Sequence, residues 1–229
     1  MKRKVSKRFK KLLESSKDSK ILEVGDAIKK IKANCTTKFI ESIDASFKLN
    51  LKQKKEEINL RTSIKLPHGN GKKIRVAVLC EENKIKDAKE GGADIAGNDI
   101  LIDDITSGKI NFDKLVATPA MMPKMGKLGK ILGPKGLMPN PKLGTVTNNV
   151  KSVTESLKTG LIEIKTDKDG NLAGSKGKKN FNDFNIKENY NALKEAILKE
   201  RPANIKGNFI LSAFLTSTMG TSYKLKLGK

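Results

Sequence analysis

A glycine- and proline-rich segment, residues 125–142, is the part of this 229-residue chain whose composition most suggests a binding role. Its prolines fix φ, its glycines allow positive φ, and lysines recur every few residues. Two interpretations are open: an ordered surface loop, or a shaped basic surface for a folded nucleic acid. The second makes four lysines candidate secondary RNA contacts: Lys127, Lys130, Lys135 and Lys142.

A second candidate is the sequence Thr-Ser-Thr-Met-Gly at residues 216–220. Its three hydroxyls can hydrogen-bond riboses, its methionine offers a flexible apolar side chain, and its glycine lets an RNA backbone approach closely. A Ser/Thr-rich turn between two strands has the same composition, so both interpretations stay open.

The residues that enzymes and metal sites require are scarce. The single histidine, His68, lies in a Pro-His-Gly sequence, which is more typical of a solvated turn than of a catalytic base. No HExxH, GxSxG or P-loop motif occurs. Cys35 and Cys80 form no CxxC pair, which favours a reduced cytosolic setting over a disulfide framework or zinc site. We expect no catalytic residue and no bound metal.

The charge of the chain is large and uneven. Lys and Arg number 47 against 25 Asp and Glu, a net charge of +22, which points to a polyanionic partner. Residues 68–159 carry +5 of this net charge and the rest of the chain +17. Residues 114–154 and 201–229 contain no acidic residue. A solvated face usually mixes both signs, whereas a phosphate-binding face excludes carboxylates.

Aromatic residues are too few for a protein that holds single strands mainly by stacking bases. The chain has eight Phe, two Tyr and no Trp. We therefore expect Lys and Arg to contact phosphates, and hydroxyl and backbone groups to contact riboses, on an RNA that is already folded.

The elements that position these residues follow from the spacing of apolar side chains. Period-two alternation is typical of half-buried strands in an antiparallel sheet. Helical spacing predicts amphipathic helices at residues 24–31 and 186–197, the second ending before Pro202. The segments that alternate are 39–51, 58–66, 161–165, 208–217 and 222–227.

The pattern between residues 68 and 159 is different. Residues 74–80 form a nearly continuous apolar run, typical of a strand buried on both faces. Short apolar segments at 93–96 and 115–118 alternate with helix-like ones, which predicts βαβ units and a parallel sheet. A nucleotide cofactor needs glycines after the first strand, but Glu81 and Glu82 stand there and would repel a pyrophosphate. We expect no cofactor.

The predicted fold class is therefore a two-domain protein. One domain is a split α+β domain with an antiparallel sheet, and the other is an inserted α/β Rossmann-like domain with a parallel sheet. Boundaries are expected in Gly/Pro-rich segments. They give 1–67 plus 160–229 for the split RNA-binding domain and 68–159 for the inserted domain.

Four short motifs are distributed over most of the chain. They are TKF at 37–39, LPHG at 66–69, GPKGLMPNPK at 133–142 followed by GTVT at 144–147, and STMG at 217–220. The ten-residue GPKGLMPNPK string is highly specific. With these motifs the chain resembles the bacterial ribosomal protein L-one family, which builds the mobile lateral stalk of the large ribosomal subunit.

The resemblance implies a fold in which the second domain is inserted into the first. It also implies binding, chiefly by the split domain, to a helical junction of large-subunit rRNA, as a non-enzymatic structural constituent. The stalk contacts exit-site tRNA and helps its release, so we expect a cytoplasmic, ribosome-bound monomer. Repression of the protein's own mRNA, through a leader that mimics the rRNA site, is a further implied function.

Carried over motif by motif, the resemblance also implies a main RNA-binding surface. Phe39 and Met219 are expected to pack against sugar and base surfaces, and Thr218 to hydrogen-bond a ribose 2′-hydroxyl. Segment 53–61 and Thr62 depart from the family pattern, which leaves the detail of this hairpin open. The implied RNA-binding residues are Lys7, Arg8, Lys38, Phe39, Lys165, Asp167, Ser212, Thr216, Ser217, Thr218, Met219 and Gly220.

Two functions of other classes remain compatible with the residues alone. One is a nucleic-acid-modifying enzyme with a nucleotide cofactor in the inserted domain, and the other is a general DNA-compacting protein. Calorimetry with S-adenosylmethionine, ATP and NAD tests the first, and competition between duplex DNA and junction RNA tests the second.

Overall fold

The computed structural model describes residues 5–16, 21–50, 60–202, 205 and 207–227. Within these ranges no helix is both long enough and apolar enough to span a bilayer. The strands are β1 (Ser42–Leu49), β2 (Arg61–Lys65), β3 (Val76–Leu79), β4 (Ile95–Gly97), β5 (Lys114–Ala117), β6 (Leu161–Lys165), β7 (Asn171–Lys178), β8 (Ile210–Ser217) and β9 (Tyr223–Lys224). The helices are α1 (Lys7–Ser16), α2 (Val24–Asn34), α3 (Ile85–Glu90), α4 (Asp99–Thr106), α5 (Met122–Met125), α6 (Gly129–Leu132), α7 (Val150–Thr159) and α8 (Asp183–Lys199).

The chain divides into two compact units. The first unit is Met1–Gly71 with Ile164–Lys229, and the second unit is Lys72–Glu163. The domain boundaries inferred from the sequence, at 67/68 and 159/160, stay a prediction. Most of the atypical segment 53–61 lies outside the described residues.

The first unit is built on an antiparallel sheet with the strand order β7-β1-β8-β9. In β1 the side chains of Ile43, Ala45, Phe47 and Leu49 are buried and those between them are half-buried. Helix α2 packs on β8 and helix α8 on β7. Phe47 stacks on Tyr190 of α8, with ring centroids 5.6 Å apart. The antiparallel sheet predicted from period-two alternation is confirmed.

Strand β7 is not predicted by the sequence. Its residues, NLAGSKGK, include two glycines and two lysines and show no clear alternation. The strand forms because β1 pairs with it from Lys48 opposite Asn171 to Ser42 opposite Lys178, interrupted only by a β-bulge at Lys176. Tertiary pairing here outweighs a weak local preference for strand.

The second unit contains the predicted parallel sheet, with strand order β4-β3-β5. Every residue of β3 is buried. Ala77 and Leu79 pack into a core formed with α4 and residues 119–132, whereas Val76 and Val78 pack with residues of α3 and α7. The continuous apolar run is therefore explained by a sheet that is covered on both faces.

The glycine- and proline-rich segment begins with short helical turns rather than a loop. Its residues Met125, Leu128 and Leu132 are buried in the core below the parallel sheet. Gly133 follows the last residue of α6. A Cβ added to Gly133 would lie 2.6 Å from the carbonyl oxygen of Gly129, so a larger residue does not fit there without a shift. The apolar residues of the segment thus complete a core.

Asn189 is a completely buried polar residue among the apolar residues of α8. Its Oδ1 accepts a hydrogen bond from the N–H of His68 at 3.1 Å. Its Nδ2 donates to the carbonyl oxygens of Gly69, at 2.8 Å, and Lys176, at 2.7 Å. Asn189 therefore holds α8, β7 and residues 68–69 together.

Asn189→Ala is expected to lower the free energy of unfolding by about 2–4 kcal/mol, because one buried and two part-buried backbone groups lose their hydrogen-bond partner. Urea unfolding followed by circular dichroism measures the change. Asn191→Ala, at an exposed position of the same helix, is the matched control and should stay within about 0.5 kcal/mol of the parent protein. Equal effects of the two substitutions would contradict this role.

Candidate nucleic-acid interface

The TKF and STMG motifs meet at one end of β1. The chain enters β1 through residues 36–41 and leaves β8 through residues 217–220. The N–H of Thr218 donates to the carbonyl oxygen of Ser42 at 3.1 Å, and the N–H of Ser42 donates to Oγ1 of Thr218 at 3.0 Å. Two of the sequence motifs are therefore neighbours in space.

A completely buried carboxylate, that of Glu41, joins the two segments. Its Oε1 accepts a hydrogen bond from the Thr37 hydroxyl at 2.9 Å, and its Oε2 accepts one from the N–H of Met219 at 3.1 Å. Burial acts to raise the pKa of Glu41, but hydrogen bonding to its carboxylate, including that from the Met219 N–H and the Thr37 hydroxyl, outweighs burial and holds the pKa below its ordinary value. Glu41 is therefore charged at neutral pH.

No sequence motif contains Glu41, although its position in the alternation of β1 predicts that its side chain is buried. Residue 41 falls on the same side of the alternation as Ile43 and Ala45, which are buried. A carboxylate in such a position needs hydrogen-bond donors inside the protein. The sequence feature that identifies Glu41 is therefore an acidic residue at the start of a strand, at a position that the alternation predicts to be buried.

Arg8 reaches the same turn from α1. One terminal nitrogen, Nη2, donates to the carbonyl oxygen of Met219 at 2.7 Å, and Nη1 donates to the hydroxyl of Thr36 at 3.3 Å. The N-terminal segment, expected only as a basic arm, is helical here and buries Leu12. Arg8 therefore shapes the turn, while Lys7 on the same helix is exposed.

Ser217 and Gly220 close the turn from inside. The N–H of Gly220 donates to the carbonyl oxygen of Ser217 at 3.2 Å. A Cβ on Gly220 would lie 2.3 Å from Oγ of Ser217, so this position accepts no larger residue without rearrangement. Ser217 itself is buried. Of the predicted contact residues, these two support the turn rather than present side chains to solvent.

The side chains left accessible around Glu41 combine apolar, cationic and hydroxyl groups. Phe39 is 52% exposed and Met219 48% exposed. Lys38 and Thr218 are also exposed, and Arg8 is half-buried. We call these five residues the Glu41 surface. Its backbone is fixed by the hydrogen bonds described above, so its shape exists before any ligand arrives.

Other predicted residues lie at the opposite end of β1. There Lys48 pairs with Ser212 of β8 on one side and with Asn171 of β7 on the other. Six residues separate Ser42 from Lys48, which corresponds to about 20 Å along a strand. The predicted residues that this distance separates from the Glu41 surface are Lys165, Asp167 and Ser212.

Asp167 organises the turn that leads into β7. Its carboxylate accepts hydrogen bonds from the N–H groups of Asp169, at 3.0 Å, and Asn171, at 2.8 Å, and from Nδ2 of Asn171, at 3.0 Å. Hydrogen bonding from the side chain and backbone of Asn171 holds the pKa of Asp167 below its ordinary value. The geometry thus assigns Asp167 to the turn and leaves Lys165 exposed beside it.

A strip of mostly small and polar side chains connects the two ends. It lies on the sheet face opposite the buried residues of β1, and we call it the open face. Thr216 and Ser212, both predicted contacts, belong to it and are half-buried. Its residues are Asp44, Ser46, Lys48, Ala173, Ser175, Ser212, Phe214 and Thr216, placed by strand register and alternation.

The second unit presents the four lysines predicted as secondary contacts. Lys127, Lys130, Lys135 and Lys142 are all exposed. Within the described part of the chain, none of them pairs with a carboxylate, whereas neighbouring lysines do: Lys124 with Asp99, Lys151 with Glu90 and Lys158 with Asp94. The four form a set of cations whose charge is not neutralised locally.

Glu41→Gln is expected to lower the free energy of unfolding by about 1.5–3 kcal/mol at pH 7, the usual contribution of hydrogen bonds to a charged group. The difference from the parent protein should shrink in acid. A carboxyl whose pKa is lowered by folding stabilises fully above its unfolded pKa, about 4.3, and loses this contribution as the pH falls through the folded value.

Urea unfolding of both proteins at pH 7, 5 and 3 measures this difference. Glu155→Gln, at an exposed position of α7, is the control and should change stability by less than about 0.5 kcal/mol. A difference between parent and Glu41→Gln that stays constant over the three pH values would contradict the role assigned to the Glu41 charge.

Comparison with known proteins gives one consistent result. Residues 31–221 match the model of the "Ribosomal protein L1p/L10e family". The chain is 52% identical to the large ribosomal subunit protein uL1 of Pelagibacter ubique, over 98% of both chains. It is 46% identical to uL1c of Phaeodactylum tricornutum, over 98% of this chain and 97% of that one, and 43% identical to uL1 of Fervidobacterium nodosum, over 97% and 95%. The resemblance carried by the TKF, LPHG, GPKGLMPNPK and STMG motifs is thereby confirmed, and the chain belongs to the ribosomal protein L1p/L10e family.

Proposed function

We propose that this protein is a structural constituent of the large ribosomal subunit, which binds a folded junction of large-subunit rRNA and carries out no bond-making chemistry. The observation that carries the proposal is the Glu41 surface. Two exposed apolar side chains, Phe39 and Met219, stand beside two cations on a backbone that is already fixed. The backbone beneath these side chains needs no further ordering on binding, which favours affinity.

Each group of the Glu41 surface suits a different part of an RNA. Arg8 and Lys38 suit phosphates, because charge-assisted hydrogen bonds to phosphate are strong. Phe39 suits stacking on an unpaired base at a junction, and Met219 suits the apolar side of a sugar. The Thr218 oxygen accepts the Ser42 N–H at 3.0 Å, and its hydroxyl donates to the Ser42 carbonyl oxygen over a long 3.4 Å, a weak bond that a ribose 2′-hydroxyl would replace on binding.

The open face extends this contact surface along the sheet. Small side chains such as Ser46 and Ser212 let an RNA backbone approach the strands closely. At the far end, Lys165 supplies a further cation about 20 Å from the Glu41 surface. We infer that one continuous RNA element lies along the open face, from the 217–220 turn to the 165–171 turn.

We also propose the more detailed functions that the family resemblance implies. The protein would form the lateral stalk as a single copy in each cytoplasmic ribosome, contact exit-site tRNA and help its release. Lys127, Lys130, Lys135 and Lys142 would serve as secondary RNA contacts. A leader of the protein's own mRNA that resembles the rRNA junction would bind the same surface and be repressed.

The affinity for a junction-bearing rRNA fragment should depend strongly on salt. With roughly six to eight phosphate contacts, a plot of log K against log[salt] is expected to have a slope of about −4 to −7. Filter binding between 50 and 300 mM KCl measures it. A slope near zero, or equal affinity for duplex DNA of the same length, would count against the proposal.

Phe39→Ala is expected to weaken binding of this fragment about 5- to 150-fold, since stacking on one base contributes about 1–3 kcal/mol. Met219→Ala is expected to weaken it about tenfold. Both side chains are exposed, so stability should hardly change. The controls are Phe184→Ala and Leu198→Ala, which remove side chains that are 60% and 43% exposed elsewhere in the first unit. Equal affinities for all four variants would place the site elsewhere.

A further inference from the structure

Lys176 of β7 is a buried lysine whose Nζ forms no hydrogen bond with any described residue. Its side chain is completely buried. A buried polar group left unpaired costs about 1–3 kcal/mol, and a charged one more. The fold of the first unit does not need an amine here, so its presence calls for another explanation.

A β-bulge places this lysine at the edge of the sheet. Asp44 pairs with Ser175 and Ile43 with Gly177, so Lys176 is an extra residue without a partner on β1. Among the described strands β7 lies at the edge of its sheet, so one side of the bulge is open there. The backbone is held by the Asn189 hydrogen bond to the Lys176 carbonyl oxygen, at 2.7 Å, whereas Nζ is bonded to none of the described residues.

The bulge lies beside the proposed RNA site. Ile43, next to the bulge on β1, pairs on its other side with Ser217 of β8. The bulge and the start of the 217–220 turn are thus two strand spacings apart, about 10 Å. Asp44, also at the bulge, belongs to the open face opposite Thr216. Its carboxylate there would repel an RNA phosphate unless a cation accompanied it.

The charges around Lys176 favour a change of protonation. Burial lowers the pKa of Lys176 to about 7, and the negative charge of Asp44 only partly opposes this. On α8, which packs against β7, burial raises the pKa of Tyr190 to about 12, so this phenol stays neutral. The charged residues of α8 are all exposed or half-buried: Asp183, Lys187, Glu188, Lys194, Glu195 and Lys199.

We propose that Lys176 is a further RNA-contacting residue, which is buried in the free protein. When RNA binds, the Lys176 side chain turns around the sheet edge at the bulge and takes a proton from solvent. The resulting ammonium group pairs with an RNA phosphate next to Asp44. The inference rests on the proposed function, because it needs an RNA on the open face. No covalent bond forms or breaks, and the one proton comes from the buffer. Binding is then linked to pH, and the energy lost by burying an unpaired amine is recovered in the complex.

Calorimetry of the full-length protein with the junction-bearing rRNA fragment tests this directly. Titrations in phosphate, imidazole and Tris, whose ionisation heats differ, give the number of protons taken up. From a free-state pKa of about 7, we expect uptake of about half a proton at pH 7 and nearly one at pH 8.5. Lys176→Met should abolish the uptake and make the salt slope shallower by about one.

Lys89→Met, at an exposed position of α3 in the second unit, is the matched control and should leave both quantities unchanged. A wild-type protein that binds the fragment without proton uptake, or a Lys176→Met variant with the wild-type uptake and salt slope, would overturn the inference alone. A wild-type protein that binds no rRNA fragment at any pH would overturn the proposed function instead. Urea unfolding of Lys176→Met, expected to be more stable than the parent, verifies that the variant folds.

Discussion

The hydrogen bonds accepted by the buried Glu41 carboxylate hold the candidate interface together. A charge removed from water must be matched by donors inside the protein, and here those donors are the Thr37 hydroxyl and the Met219 N–H. Because a backbone N–H cannot move without its chain, the carboxylate fixes the main chain of the 217–220 turn as well as its side chains. Arg8 holds the same peptide from its carbonyl side. The exposed Phe39 and Met219 are thereby presented from a rigid base.

The parts of the fold that were predictable are those in which local pattern and tertiary environment agree. Alternation in β1 and the continuous apolar run of β3 each identified a strand and the number of its covered faces. Strand β7 was not predictable, because glycines and lysines have little intrinsic preference for a strand and its ladder comes from a partner about 130 residues away. Asn189 was hidden for a similar reason: its three partners lie on other segments of the chain.

The candidate site was predictable in its surface residues and not in its support. Motif resemblance named Phe39, Thr218 and Met219, and the structure places all three at one end of β1. It could not separate residues that face solvent from residues that shape the backbone, so Ser217 and Asp167 carried the same label as Phe39. Glu41 and Lys176 were missed because composition points to exposed cations, and buried charged groups become visible only when their surroundings are known.

The Glu41 surface combines residues that are far apart in the sequence, and this separation has a consequence for biosynthesis. Arg8 and Glu41 are synthesised 211 and 178 residues before Met219, with which both form hydrogen bonds. Loop closure over such a separation must await synthesis of the whole intervening chain. A polypeptide that ended before residue 217 would keep most of the cations but would lack Thr218 and Met219 of the Glu41 surface.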